Sequence, residues 1–486
     1  MYLKTKGQNM KRILSLSLIL AGLASTAGAS GFSLERLSAK DIRSAAPGFG
    51  APVPSVTPGG DASAPQLREW TIIAYLVGND RNLEHTAVET FNFLEFAGSN
   101  EKTAIVAELG RLKWQKPDDG FWQGSKRYYV ERDTNTFVKG SGIISPALQT
   151  LPGADMGDYK HLAEFITWAK TNYPAKRYAL FLHGHGSGWK DREKTKGIAF
   201  DAASGNFIST PEFGEALRLA GPVDIFYTIA CVTQMAEVMY EVKDSVGYAI
   251  SSEELNLAAT TDQNGNETTT AFESYALAGP IVSNPELPTE ILAGIIPESI
   301  KQMWEGFGIK HRLTFSVVKP GMLPELAARL DAWAAAAEAL DDRNAAASAK
   351  RAVLRFEQYG GGSAQNSNYA DLRDFISLYA GAVSTTEPRA VAFRKQSAEL
   401  EDFLTSKVVI KNISFGKRRD GADYARAGGL AITIPPYKPG NIDARLWTYQ
   451  DLAFAKESSW DKFIFKYMWN IDNQTGFTPG WDARAR

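Results

Sequence analysis

The chain has 486 residues, a formal net charge of −2, and 44% hydrophobic against 22% charged residues. That length gives room for two or three ordinary domains around a large core. The balance excludes a disordered chain and gives no electrostatic reason to expect a nucleic-acid partner. No apolar run beyond residue 29 is long enough to predict a transmembrane helix.

Near the start, Lys4, Lys6, Lys11 and Arg12 precede an apolar run over 13–23 and then Ala27-Gly28-Ala29. This is the pattern of a secretory signal cut after Ala29, so the mature protein is expected to be exported, periplasmic or extracellular. Residues 30–68 are rich in Pro, Gly, Ala and Ser without periodicity, and read as a linker or pro-segment. A dense apolar strand is predicted over 70–77, then a turn at Gly78-Asn79-Asp80 opening a helix with Leu83, Ala87, Phe91 and Leu94 on one face. Strands follow over 103–109 and 127–131. A helix then carries Leu162, Phe165, Ile166 and Ala169 and stops before Tyr173-Pro174.

The apolar run over 178–182 is a short buried strand leading into His183-Gly184-His185-Gly186-Ser187-Gly188-Trp189. The charged stretch 190–196 reads as an exposed loop, and 197–200 as a strand. Ser209, Pro211 and Glu212 carry the cap and first-turn signals of a helix start. A strand over 223–230 runs directly onto Cys231, the one cysteine of the chain. A helix over 233–242 and a strand over 248–250 come next, ending at Ser252-Glu253-Glu254. Strands alternating with helices imply an α/β fold, a doubly wound and mainly parallel sheet with helices on both faces, here expected over 69–285.

Beyond residue 285 two helices flank a strand over 313–318. The second carries Leu323, Leu326, Leu330, Trp333, Ala337 and Leu340 on one face. Gly360-Gly361-Gly362-Ser363 reads as a break, Lys417-Arg418-Arg419 as a solvated turn, and 430–434 as a strand stopped by Pro435-Pro436. The aromatics Trp447, Tyr449, Phe454 and Trp460 read as core. Residues 286–486 are therefore expected to form a helical or mixed subdomain packed on the sheet.

A lone cysteine is ordinarily a small buried apolar side chain. One at a strand end, in a chain with glycine-flanked histidines at another strand end, has the parts of a nucleophile and its base. An imidazole can take the thiol's proton or hold it as a thiolate–imidazolium pair. Backbone N–H groups at Gly186 and Cys231 can then stabilise a tetrahedral oxyanion, which is acyl-transfer chemistry. His183 and His185, two apart on a strand, also fit two metal ligands, but no third follows at a recognisable spacing. Gly184-x-Gly186-x-Gly188 lacks the spacing of a phosphate loop.

With its apolar strand, His185-Gly186-Ser187-Gly188-Trp189, and second strand ending Ala230-Cys231, the chain resembles the clostripain-like cysteine peptidases, relatives of caspases, gingipains and legumains. Further similarity lies at 70–73, at 79–83, at Phe200-Asp201, at Ser252-Glu253-Glu254 and near the end at Gly429-Leu430 and 449–463. The resemblance implies a caspase-like fold and peptide-bond hydrolysis by Cys231 with His185, rather than His183, as base. It implies protein or peptide substrates, frequent activation by internal cleavage, and no required cofactor, although calcium dependence occurs in the family. Such enzymes usually carry an aspartate two residues before the cysteine, where this chain has Ile229. The pocket for the residue before the scissile bond is expected to involve Ile229, Ser252 and Glu253, with Glu253 or Glu254 the nearest substitutes for that acid. On strand alternation Ile229 and Cys231 should face the same side. A different class of function on the same fold, a catalytically silent binding module, would retain neither His185 nor Cys231 by necessity.

Overall fold

From Trp70 onward the strand β1 (Arg68–Gly78) is buried along its length, and its side chains divide cleanly between two apolar layers. Ile73, Tyr75 and Val77 enter one layer, while Ile72, Ala74 and Leu76 enter the other. A strand buried on both faces reads as a continuous apolar run, which is why 70–77 is so dense in the sequence. The computed structural model describes residues 67–471 apart from 113–119, 134–141, 191–196, 257–258, 262–266, 310, 357–363, 365–366, 419 and 437–445. The expected signal segment, all but the end of the 30–68 linker, the Gly360 break and most of the 190–196 loop lie outside the described residues.

The remaining strands are β2 (Thr103–Leu112), β3 (Gln123–Tyr129), β4 (Ala147–Leu151), β5 (Ala175–His183), β6 (Ile198–Asp201), β7 (Asn206–Ile208), β8 (Val223–Thr228), β9 (Val246–Ser251), β10 (Ala259–Thr261), β11 (Glu267–Thr269), β12 (Leu313–Val318), β13 (Tyr369–Asp371), β14 (Val409–Phe415) and β15 (Ala431–Thr433). Nine of them form one sheet in the order β14-β12-β9-β8-β5-β1-β2-β3-β4. The five central strands, from β9 across to β2, are parallel, and the pairs outside them are antiparallel. Three helices cover one face: α1 (Glu84–Ala97), with α5 (Glu273–Ser283) and α6 (Thr289–Phe307). The other face is covered by α2 (Tyr159–Asn172), α3 (Thr210–Ala220) and α4 (Ala236–Glu241), and by the later helices α7 (Leu323–Leu340), α8 (Arg343–Ala352), α9 (Leu372–Ala382) and α10 (Pro388–Phe403). The start of α3 is the reciprocal cap that Ser209 and Glu212 foreshadow, with each side chain satisfying the other's backbone N–H.

Beyond residue 285 the chain does more than pack on this sheet: β12 pairs with β9, and β14 with β12, so it supplies one edge. Tyr449, Phe454 and Trp460 are fully buried, as expected of core aromatics. In the basic turn Lys417 is exposed as expected, whereas Arg418 is enclosed, and residue 419 lies outside the described residues. Arg418 donates to both carboxylate oxygens of Asp420 at 2.9 and 2.8 Å and lies over the ring of Tyr424.

The order of the strands positions the site. From β1 the chain steps to β2 on one side, yet β5 returns to lie on the other. The carboxyl ends of β1 and β5 therefore flank a point where the winding reverses, the place where open α/β sheets leave a crevice for chemistry. In register, Leu76 of β1 lies opposite His183 of β5. The segments that leave the sheet there are Asn79-Asp80 and the glycine-rich histidine turn.

Candidate active site

His183 is the last residue of β5 and stays inside the sheet, 2% exposed, its Nδ1 without a hydrogen-bond partner. Burial, and then the neighbouring His185, push its pKa down to about 4, so the ring is neutral at physiological pH. His185 lies two residues further on, beyond the strand. Its Nε2 is 3.2 Å from Oδ1 of Asp80, which belongs to the turn after β1.

Gly186 comes next and touches the other half of the site. A side-chain carbon there would lie 2.3 Å from the Cys231 carbonyl oxygen and 2.7 Å from its nitrogen, far inside contact distance. Only a residue without Cβ lets the histidine turn rest on the backbone of Cys231. Gly188 is needed for a second reason, a φ of +69°, and a carbon there would also strike Met235 and Tyr369. The same turn is anchored by the carboxyl-terminal half of the chain. The Tyr369 hydroxyl donates to the Ser187 carbonyl at 2.6 Å, and Trp189 Nε1 donates to Thr433 Oγ1 at 2.6 Å. Trp189 also meets Tyr449 edge to face, with ring centroids 4.9 Å apart.

Cys231 does not end a strand directly, because β8 stops at Thr228 and the cysteine sits in the turn that follows. The Thr228 hydroxyl donates to the Leu182 carbonyl of β5 at 2.9 Å and accepts from the Ala230 N–H at 3.0 Å. That pair of bonds ties the cysteine turn to the strand that delivers the histidines. Val232 has φ of +54°, a conformation that is strained for a β-branched residue and costs on the order of 1–3 kcal/mol. The segment after β9 holds it there: Val232 N–H donates to the Glu254 carbonyl at 3.1 Å, and Gln234 N–H to the Ser252 carbonyl at 3.0 Å. Cys231 is half-buried, and its Sγ donates to the Asn256 carbonyl at 3.4 Å.

The expected pocket residues fall differently. Since β8 ends before Ile229, strand alternation does not extend to it. Ile229 packs against the apolar layer of α1, α5 and α6, whereas Cys231 packs against the opposite layer. The two side chains thus do not share a side of the sheet. Ser252 is buried, its hydroxyl paired with Thr314 at 2.8 Å and accepting from the Glu254 N–H at 3.0 Å. Glu253 is buried and faces Asp371. Burial first, then that second carboxyl, raise its pKa well above the usual range, which disfavours a charged Glu253. Glu254 accepts from the Tyr424 hydroxyl and lies 3.8 Å from Arg312 Nε. Lys190, the first residue of the charged loop, is 5% exposed rather than solvated.

Asp80 is the residue that sequence reading missed. Its turn was legible at Gly78-Asn79-Asp80, but nothing local tells that β5 lies beside β1. Among the described residues no group of three or more His, Cys, Asp or Glu side chains is placed to hold a metal ion, and no helix is long and apolar enough to cross a membrane.

A mainly parallel sheet that delivers a histidine turn and a cysteine turn from adjacent central strands defines the caspase-like class of cysteine peptidase folds. The chain belongs to the Clostripain family, peptidase C11, matching it over residues 74–469. It is 28% identical over 191 residues to clostripain of Hathewaya histolytica, a stretch that spans 36% of this chain and 36% of that relative. Its fold is similar to that of a secreted C11 cysteine protease from Bacteroides thetaiotaomicron solved with an irreversible peptide inhibitor. There the TM-score is 0.55 at 15% identity, covering 81% of this chain and 99% of the other. An inactive zymogen C11 protease from Parabacteroides distasonis is similar at a TM-score of 0.53 and 19% identity, with 81% and 99% covered.

Proposed function

We propose that this protein is an exported cysteine endopeptidase in which Cys231 is the nucleophile and His185 its base. The observation that carries the reading is the packing of Gly186 on the backbone of Cys231, which brings the imidazole's turn against that of the thiol. His185 takes the thiol proton, and the thiolate attacks the scissile carbonyl. The N–H groups of Gly186 and Cys231, neighbours in that contact, stabilise the oxyanion. The imidazolium then returns its proton to the leaving amine, and water, deprotonated by the imidazole, releases the acyl group from sulfur. Export is supported by the charged and apolar pattern of residues 1–29.

Two finer points belong to the same reading. The pocket for the residue before the scissile bond does not select strongly for Arg or Lys. Ile229 supplies no carboxylate, burial and the neighbouring Asp371 disfavour a charged Glu253, and Glu254 is engaged by Tyr424 and Arg312. Maturation proceeds by cleavage within 191–196 or within 30–67, since both are polar segments outside the predicted strands and helices and the first lies between the two catalytic blocks.

Substitution tests the reading. Cys231→Ala and His185→Ala each abolish peptidase activity and labelling by an iodoacetamide probe or a peptidyl electrophile while the fold persists. His183→Ala keeps much of its activity, because a neutral ring enclosed in the sheet transfers no proton. Activity in Cys231→Ala would remove Cys231 as the nucleophile, and wild-type protein with neither activity nor probe labelling would leave a binding module as the better reading. Activity in His185→Ala but not His183→Ala would reverse the histidine assignment.

A further inference from the structure

We infer that Asp80 is a positioning residue for His185: it orients the imidazole through Nε2. This rests on the reading of His185 as the base. An imidazole has two nitrogens, and the one 3.2 Å from Asp80 is Nε2, which leaves Nδ1 for the thiol. The carboxylate is itself held. Its Oδ1 accepts from the Asn82 N–H at 2.8 Å, and the Asp80 carbonyl accepts from the N–H groups of Leu83 and Glu84 at the start of α1. The fold explains why an aspartate from the turn after β1 reaches a histidine more than a hundred residues away. The two strands pair in parallel with Leu76 opposite His183, so both segments leave the same end of the sheet at the point where its winding reverses.

Both side chains are largely enclosed, 13% exposed for Asp80 and 9% for His185. A polar contact so shielded is worth more than the same contact in water. Asp80 from the β1 turn and His183, two residues earlier at the end of β5, both act on His185, and the turn that carries it rests on the backbone of Cys231. Asp80 acts on the base alone, through Nε2, without touching the reacting atoms.

The substitution that isolates this role is Asp80→Asn, which keeps the oxygen that accepts from Asn82 and removes the charge. The full-length enzyme is measured in two ways: turnover of a fluorogenic peptide, and the rate of Cys231 alkylation by iodoacetamide across pH. We expect kcat to fall about tenfold with KM little changed, the difference between a hydrogen bond to a charged acceptor and one to a neutral acceptor. Alkylation by iodoacetamide should slow as well, because the thiol is no longer met by an imidazole held in one orientation. Asp80→Glu should recover part of both. Unchanged kcat together with an unchanged alkylation rate overturns the inference, whereas slow, unactivated alkylation of the wild-type thiol overturns the Cys231–His185 reading instead. If Asp80→Asn does not fold, the ¹⁵N spectrum of the histidine rings in Cys231→Ala protein decides, with His185 assigned by its loss in His185→Ala. A neutral ring protonated on Nε2 supports the inference, and one protonated on Nδ1 overturns it.

Discussion

Gly186→Ala is the substitution whose outcome the structure determines most directly. The added carbon would sit 2.3 Å from the carbonyl oxygen and 2.7 Å from the nitrogen of Cys231, and 3.1 Å from the carbonyl carbon of Ala230. All three are backbone atoms, so no flexible side chain can swing away. Ordinary contact begins near 3.4 Å, so one of the two turns must retreat by about 1 Å. The cysteine turn is pinned by Thr228 to β5 and by the Glu254 carbonyl through Val232, so the histidine turn is the one that gives. A displacement of about 1 Å between reacting groups costs roughly a hundredfold in rate. We therefore expect kcat/KM on a fluorogenic peptide to fall by about that factor. Circular dichroism should show an intact fold, and iodoacetamide should alkylate Cys231 more slowly. Gly184→Ala is the internal control. Its nearest neighbour would be Ala199 Cα at 3.5 Å, an ordinary contact, and activity should stay within about threefold. Equal activity in the two variants refutes the reasoning.

Kinetics on peptides differing only in the residue before the cut should place Arg within roughly tenfold of small and apolar residues; an Arg preference of about a hundredfold would mean that an acid does reach the pocket. Mass spectrometry of protein matured in its host should find new termini within 191–196 or 30–67, but not after the buried Lys190, and full activity in one intact chain starting at Ser30 contradicts this. Stability should also report Glu273, a buried carboxyl whose pKa burial pushes up to about 8 even though Trp304 Nε1 donates to it at 2.8 Å. Because its folded pKa is raised, the folded state holds a proton that the unfolded chain releases. The stability this gives is complete below about pH 4.5 and is lost as pH rises through 8. Glu273→Gln should therefore gain on the wild type over that interval, at no more than about 1.4 kcal/mol per pH unit, and a difference that stays constant from pH 5 to 8 would contradict it.

Much of this molecule is written locally. An apolar run such as 70–77 or 178–182, by its length and its β-branched and aromatic content, reads as a buried strand, and Ser209 with Glu212 reads as a helix start, because period and capping act within a few residues. The histidine turn and the lone cysteine were legible for the same reason, as unusual residues at the ends of such runs. What the sequence could not determine by itself is set by separation along the chain. The end of β8 at Thr228 rather than residue 230 moved Ile229 and Cys231 to opposite layers, and a boundary of one or two residues is beyond what propensity resolves. The edge strands β12 and β14 carry no sign of their partner, since pairing depends on which surface the sheet leaves open. The engagement of Glu253 by Asp371 and of Glu254 by Tyr424 joins residues more than a hundred positions apart. So does the approach of Asp80 to His185, which exists only because β5 lies against β1 where the sheet reverses its winding.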